Sequence, residues 1–479
     1  MVTLWAVSAL GFVLLLLGCD PLDGAEQGEA DGNTLANAES GEGAESGEGA
    51  ESGGTAESVG AAETAEAAET AGPSYVEPAP ARYGDKRDRH IEELMSAMSL
   101  EEKIGQLLVL GLMSPDSDQP LTEVVPRTEE MLREVRPGGV VLYGGNIEDV
   151  GQVTALIDDL QSAAEIPLFV GIDEEGGVVS RLKHLGSGVA THLPSAAEVG
   201  VAGETLSAYR AGRLLGRELR SLGFNINFAP TVDVSDKEAN PFLDSRTYSA
   251  DPHEVARLAV PFLRGLQNHG VSASIKHFPG HGSAVEDSHY GLSTVAAGAE
   301  ELRSSDWVPF RKAIEAGVDS IMVAHVMVPS LTEERVPASI SPAVVQEAAR
   351  EELGFDGLLI SDSVTMGGLL NALDERSAAV AVVEAGGDIV LTPGNPYTAV
   401  SELVEAVEEG RITEERIDES VRRVLRVKLD RGILVPSDEA FERRFPHVRG
   451  LDPREVLSAP EHREVVEQIR RRAAEEEAR

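Results

Sequence analysis

Val271-Ser272-Ala273-Ser274-Ile275 runs straight into Lys276-His277-Phe278-Pro279-Gly280-His281-Gly282, and Asp287-Ser288-His289 follows a few residues later. The first five residues are small or β-branched and read as a buried strand. The Pro-Gly pair then stops the strand and opens a loop. A cation, three imidazoles and a carboxylate are thus delivered to one strand end and the loop beyond it. A polar loop with scattered histidines seldom carries so many titratable groups so close together, and this density points to chemistry.

The same grammar repeats along the chain. Short apolar runs occur at 107–110, 139–142, 168–172, 225–228, 273–276, 320–323, 358–360 and 389–391. Each ends in a Gly, Pro, Asp or Ser cluster and leads into a helical stretch such as 254–268 or 343–352. Ser99-Leu100-Glu101-Glu102 is a capping box that opens a helix ahead of the first strand. Near-continuous apolar strands alternating with helices mean parallel strands covered by helices. Eight such units in about 350 residues predict a (β/α)₈ barrel of the TIM type rather than an open doubly wound sheet. The pairs Gly138-Gly139 and Gly176-Gly177 do not form a G-x-G-x-x-G fingerprint, so a dinucleotide cofactor is not expected.

Residues at the C-terminal ends of barrel strands face the active site. After strand three stand Asp173, Glu174, Glu175 and, six residues later, Arg181. Asp233 and Arg246 lie beyond strand four, and Lys276, His277, Asp287 and His289 belong to strand five and its loop. His325 ends strand six, and Ser361-Asp362-Ser363 ends strand seven. The unusual polar residues therefore gather at one pole. No cysteine cluster accompanies them, so no metal and no cofactor is expected.

Four segments together resemble glycoside hydrolase family 3, and within it the NagZ-type β-N-acetylglucosaminidases. They are Asp173 to Arg181 (Asp-x-Glu-Gly-Gly-x-Val-x-Arg), Ser245-Arg246-Thr247-Tyr248, the Lys276–Gly282 stretch with Asp287-Ser288-His289, and Ser361 to Met366. The resemblance runs from about His90 to Val427. It implies a retaining double displacement in which Asp362 is the nucleophile, His289 the acid/base and Asp287 the group that orients His289. It also implies that Asp173, Arg181, Arg246, Lys276 and His277 bind the hydroxyls and acetamido group of the sugar. His281 is expected to support the loop, and Glu174 and Glu175 to be supporting groups rather than catalysts. The resemblance further implies a GlcNAc-containing glycan or muropeptide as substrate. Many relatives of this kind carry a second α/β domain, from which the β-glucosidases draw their acid. Only about fifty residues follow Arg431, so the acid is expected from the barrel. A β-glucosidase or β-xylosidase, and a glycan-binding envelope protein without catalysis, are the alternatives.

The ends of the chain read differently. Leu4 to Leu17 is an apolar stretch too short to span a bilayer comfortably, and Leu16-Leu17-Gly18-Cys19 follows it, with no Lys or Arg before it. A small residue before the sole cysteine resembles a bacterial lipobox. The expectation is a signal peptide over 1–18, a lipid-modified Cys19 and a lipoprotein anchored to the membrane of the cell envelope. From Asp20 to Ala81 the sequence is Glu, Gly, Ala and Ser, with fifteen acidic residues and no Lys or Arg. Such a stretch has too little apolar surface to offset the entropy of ordering, and a flexible linker over 20–81 is expected. The whole chain carries 82 acidic against 41 basic side chains, and 26 of its 41 net negative charges remain outside the linker. That balance argues against a nucleic-acid partner. The catalytic domain is expected over 82–435 and a charged helical tail over 436–479.

Overall fold

The structure, a computed structural model, describes residues 84–479 apart from 115–116, 118, 236–239, 241–242, 285–292, 333–335, 371, 374–376 and 436–449. The expectations for the signal peptide, Cys19 and the linker, and those for Asp287 and His289, lie outside the described residues.

Eight strands form one parallel sheet: β1 Leu108–Gly111, β2 Gly139–Val141, β3 Phe169–Ile172, β4 Ile226–Asn227, β5 Ser272–Phe278, β6 Ser320–Val323, β7 Leu358–Ser361 and β8 Val390–Leu391. β8 pairs with β1, and β7 meets the residue before β8 through a parallel bridge between Ile360 and Ile389, which closes the barrel. Asp388 secures that seam. Its backbone N–H donates to Leu359 O at 2.8 Å, and its carboxylate accepts from the Leu359 N–H at 2.9 Å. Arg350, Arg423 and the hydroxyl of Ser420 hold the same fully buried carboxylate from the helix side. All eight expected strands are present, each within one or two residues of its sequence-based limits.

Inward and outward residues alternate, as a barrel requires. Val109, Val141, Phe169, Ile226, Phe228, Met322, Leu358 and Ile360 fill the interior. Two glycines make room for the rings. A Cβ on Gly139 would lie 2.6 Å from the Cβ of Phe169, and one on Gly171 would lie 2.9 Å from the ring of Phe228. The outward set, including Leu108, Leu110, Val140, Leu142, Val170 and Ile172, packs beneath the helices. The capping box is formed, with the Ser99 hydroxyl accepting from the Glu102 N–H and Glu102 accepting from the Ser99 N–H. The helix Gly84–Ser96 that precedes it was not anticipated from the sequence.

The tail is more firmly integrated than its composition implies. Within the expected tail a helix spans Pro460–Glu477 and buries His462, Val466, Ile469 and Ala473. His462 Nδ1 lies 2.8 Å from Oε1 of Glu218, a carboxylate that is 1% exposed. The same carboxylate accepts from the backbone N–H groups of Ser458 and Thr191, both at 2.9 Å. One buried anion therefore ties the tail, the helix Thr205–Leu222 and the segment after β3 together, and these bonds offset its desolvation.

Lys428 lies at the opposite pole from the strand ends that carry the polar cluster. It is fully buried, its ammonium donates to Gln106 Oε1 at 3.0 Å, and it sits 5.3 Å from the ring centroid of Phe169. Burial pulls its pKa down from 10.5 to about 7. In the unfolded chain the amine keeps its proton up to the ordinary lysine range, so between those limits the unfolded state binds more protons. Folding stability must then rise with pH over that window. Relative to Lys428→Met, the wild-type chain should gain about 2 kcal/mol between pH 7 and pH 9. Chemical denaturation at the two pH values measures this, and a pH-independent difference would contradict it.

Candidate active site

β3 ends in a tight hairpin that sets the site. Gly176 and Gly177 take positive φ values of 91° and 56°, and the Glu175 N–H donates to Val179 O at 2.9 Å. Asn227, the last residue of β4, clamps the hairpin from the side. Its Oδ1 accepts from the Glu174 N–H at 2.9 Å and its Nδ2 donates to Glu174 O at 2.8 Å. The Glu174 carboxylate reaches across the hairpin and accepts from the N–H groups of Arg181 and Leu182, at 2.7 and 2.9 Å. Burial nonetheless pushes its pKa up to about 7. Glu174 is thus the group that places Arg181.

Asp173 and Glu175 point into the cluster. Lys276 Nζ lies 2.8 Å from Asp173 Oδ1 and 2.7 Å from Glu175 Oε1. Arg246 meets Glu175 through both Nε and Nη2, at 2.9 and 2.8 Å, the paired geometry in which a guanidinium binds a carboxylate best. Arg181 Nη2 stands 3.9 Å from Asp173 Oδ2. Burial alone would raise the Glu175 carboxyl, but Arg246 and then Lys276 bring it far below the ordinary range. Burial opposes the charge on Lys276, and Asp173 and Glu175 overcome it, so its pKa is raised. Glu175 is therefore an ionised anchor with no proton to give, in agreement with the supporting role expected for it. Asp173 is more open than Glu175, with 22% of its side chain exposed against 6%.

A second cluster adjoins the first. Asp233, held ionised against its burial by His277, accepts from His277 Nδ1 at 2.7 Å and from the His281 N–H at 2.8 Å. With Nδ1 donating to a carboxylate, His277 presents Nε2 as the other functional nitrogen. Burial and the neighbouring His277 lower the His281 pKa to about 4, so this imidazole stays neutral. The His281 backbone N–H, not its imidazole, makes the bond to Asp233. The pairing of Asp233 with His277 was not read from the sequence, where Asp233 stood only as a polar residue at the right pole.

Asp362 follows β7 at the same end of the barrel. Its N–H donates to Val323 O at 2.9 Å, and its Oδ1 accepts from the Ser363 N–H at 2.8 Å. The flanking residues are fixed in turn. Ser361 Oγ accepts from the Leu391 N–H at 3.1 Å, and Ser363 Oγ lies 2.5 Å from Thr392 Oγ1. His325, fully buried, bridges Ser363 O and Ser339 Oγ at 2.9 and 2.6 Å. The half-buried Asp362 does not cap a long helix, since the next helical turn begins at Gly367. The structure thus brings Asp173, Arg181, Arg246, Lys276, His277 and Asp362 to one pole. Charged donors beside an accessible carboxylate suit a polyhydroxylated ligand, because each buried hydroxyl needs a partner.

Residues 99–427 match the family described as Glycosyl hydrolase family 3 N terminal domain. A "Beta-N-acetylglucosaminidase/beta-glucosidase" of Cellulomonas fimi is 33% identical over 375 residues, which cover 76% of this chain and 64% of that protein. The chain therefore spans just under two thirds of that relative's length. A "Beta-hexosaminidase" of Stenotrophomonas maltophilia is 35% identical over 276 residues, which are 56% of this chain and 80% of the relative. Among solved structures, a glycoside hydrolase family 3 β-N-acetylglucosaminidase from Paenibacillus superposes with a TM-score of 0.66 at 37% identity. The match covers 73% of this chain and 68% of that one.

Proposed function

Because the chain belongs to glycosyl hydrolase family 3, we propose that it is an exo-acting, retaining β-N-acetylglucosaminidase that removes terminal GlcNAc from peptidoglycan-derived muropeptides. The observation that carries the reading is the placement of Asp362 at the same strand-end pole as the Asp173–Lys276–Glu175–Arg246 network. The printed names of the Cellulomonas, Stenotrophomonas and Paenibacillus relatives support the glycosidase class and the N-acetylhexosamine.

In this mechanism the sugar sits over the charged network. Asp173 accepts from its hydroxyls, and Arg181, Lys276, Arg246 and His277 donate to its oxygens. Glu175 keeps two of those cations fixed, so they lose little entropy on binding. Asp362 attacks the anomeric carbon while His289 protonates the departing oxygen, and a covalent glycosyl-enzyme forms. His289 then takes a proton from water, which displaces Asp362 and regenerates the enzyme. Asp287 holds the imidazole of His289 and tunes its basicity.

β-Glucosidase activity is the second reading, favoured by the double name of the Cellulomonas relative. Turnover of aryl-GlcNAc against aryl-glucoside separates the two. For placement, we propose anchoring in the cell envelope through acylated Cys19, with 20–81 as a spacer. Several acyl chains are needed for stable attachment, which the diacylation expected at a lipobox cysteine supplies. Mass spectrometry of the mature N-terminus tests this, and a terminus other than acylated Cys19 would contradict it.

The acid/base assignment makes the strongest demand. His289→Ala should nearly abolish cleavage of muropeptides, whose leaving group needs a proton. It should spare the first step on an activated aryl glycoside, whose leaving group does not. Azide, a nucleophile that requires no general base, should restore part of the turnover of the stalled intermediate. A loss equal for both substrates and insensitive to azide would remove His289 from the reaction.

A further inference from the structure

Tyr143 is a residue the reaction scheme leaves unused. It stands just past β2, at the same end of the barrel as Asp173 and Asp362. Its side chain is 3% exposed, and its hydroxyl has no hydrogen-bond partner among the described residues. A buried hydroxyl without a partner has lost its water and received nothing in exchange, which destabilises the free protein. Phenylalanine would fill the same space without that cost, so the hydroxyl calls for a partner that is absent from the unliganded chain.

The surroundings specify what that partner is. Asp173, Arg181 and Asp362 all act electrostatically on the phenol. Burial and the two carboxylates push its pKa up, so it remains a protonated donor at any working pH. The neighbouring strand end approaches the oxygen closely, without a side chain of its own. Gly111, the last residue of β1, has no side chain, and a Cβ there would lie 3.2 Å from the Tyr143 hydroxyl and 3.6 Å from the Thr392 methyl. Thr392 itself is held at a φ of 53°, a left-handed conformation that β-branched residues seldom adopt. It directs its hydroxyl to Ser363 rather than to Tyr143. Strain of this kind concentrates at functional sites.

We infer that Tyr143 contacts the substrate, its hydroxyl donating a hydrogen bond to a sugar oxygen bound between Asp173 and Asp362. The inference rests on the glycosidase reading above and adds a specificity residue to it. A sugar hydroxyl is both donor and acceptor. It gives its hydrogen to the Asp173 carboxylate and receives one from the phenol, so the three groups form a continuous chain. A sugar lacking a hydroxyl at that position leaves both protein groups unsatisfied, and the site therefore selects against it.

Tyr143→Phe in the full-length chain removes the oxygen and nothing else. Its kcat/KM on aryl-GlcNAc should fall about tenfold, the value of one neutral hydrogen bond. Its melting temperature without ligand should be unchanged or higher, because an unpaired buried hydroxyl has been deleted. Binding of N-acetylglucosamine, followed by calorimetry, should weaken in parallel. This readout applies even if the wild-type chain proves inactive on aryl-GlcNAc, an outcome that would count against the glycosidase reading itself. Unchanged sugar affinity and unchanged kcat/KM would overturn the role of Tyr143. A clearly lower melting temperature would overturn it too, since the hydroxyl would then have a partner within the fold.

Discussion

The Glu175 carboxylate is the group on which the rest of the site depends. It is buried, and it receives both Arg246 and Lys276 at hydrogen-bond distance. An isolated buried charge costs many kcal/mol, and two buried cations without a counterion would neutralise or leave the interior. With Glu175 in place, three elements are joined: the hairpin after β3, the loop bearing Arg246 and strand β5. Asp173 shares Lys276 but does not carry its full compensation, so it can turn part of its hydrogen-bonding capacity toward a ligand. The charge balance also explains why Glu175 makes a poor acid. A carboxylate held ionised by two cations has no proton to donate near neutrality.

The barrel divides its labour between its ends. At the strand N-termini, Asp388 is surrounded by Arg350, Arg416, Arg423 and Ser420, and it pins β7 to β8. Lys428 and Gln106 are buried nearby against Phe169. These groups point to helices and backbone and serve closure. At the strand C-termini the polar groups point toward the axis and toward each other. The Asp388 carboxylate is met by several donors at one end, while at the other the Tyr143 hydroxyl lacks a partner among the described residues and Thr392 takes a left-handed conformation. The Pro460–Glu477 helix belongs to the stabilising side of this division. Through Glu218 it also reaches Thr191, and the segment that follows supports the Gly176-Gly177 turn by a hydrogen bond from the Gly177 N–H to Leu193 O at 3.0 Å.

Much of this was legible in the chain. Strands β1 to β8 announced themselves as apolar runs because parallel strands are buried on both faces and need no alternation. The pole was legible for the same reason, since barrel topology sends every strand end to one side. What the sequence did not reveal were the pairings. Nothing in the spacing of Glu175 and Arg246, 71 residues apart, or of His277 and Asp233, 44 apart, marks them as partners. Glu218 and His462, separated by 244 residues, are more distant still. Tyr143 escaped notice because a tyrosine after an apolar run reads as core, and in its ring it is core. Its hydroxyl becomes conspicuous only when the neighbours that fail to bond it are known.

The central claim is that Asp362 forms a covalent bond to the sugar. A 2-deoxy-2-fluoro glycosyl donor with an activated leaving group slows the second step and lets the intermediate accumulate. Peptide mapping by mass spectrometry should then find one added sugar on the peptide containing Asp362, and none in Asp362→Ala. A sugar attached to any other carboxylate, or equal labelling of the Asp362→Ala chain, would contradict the account.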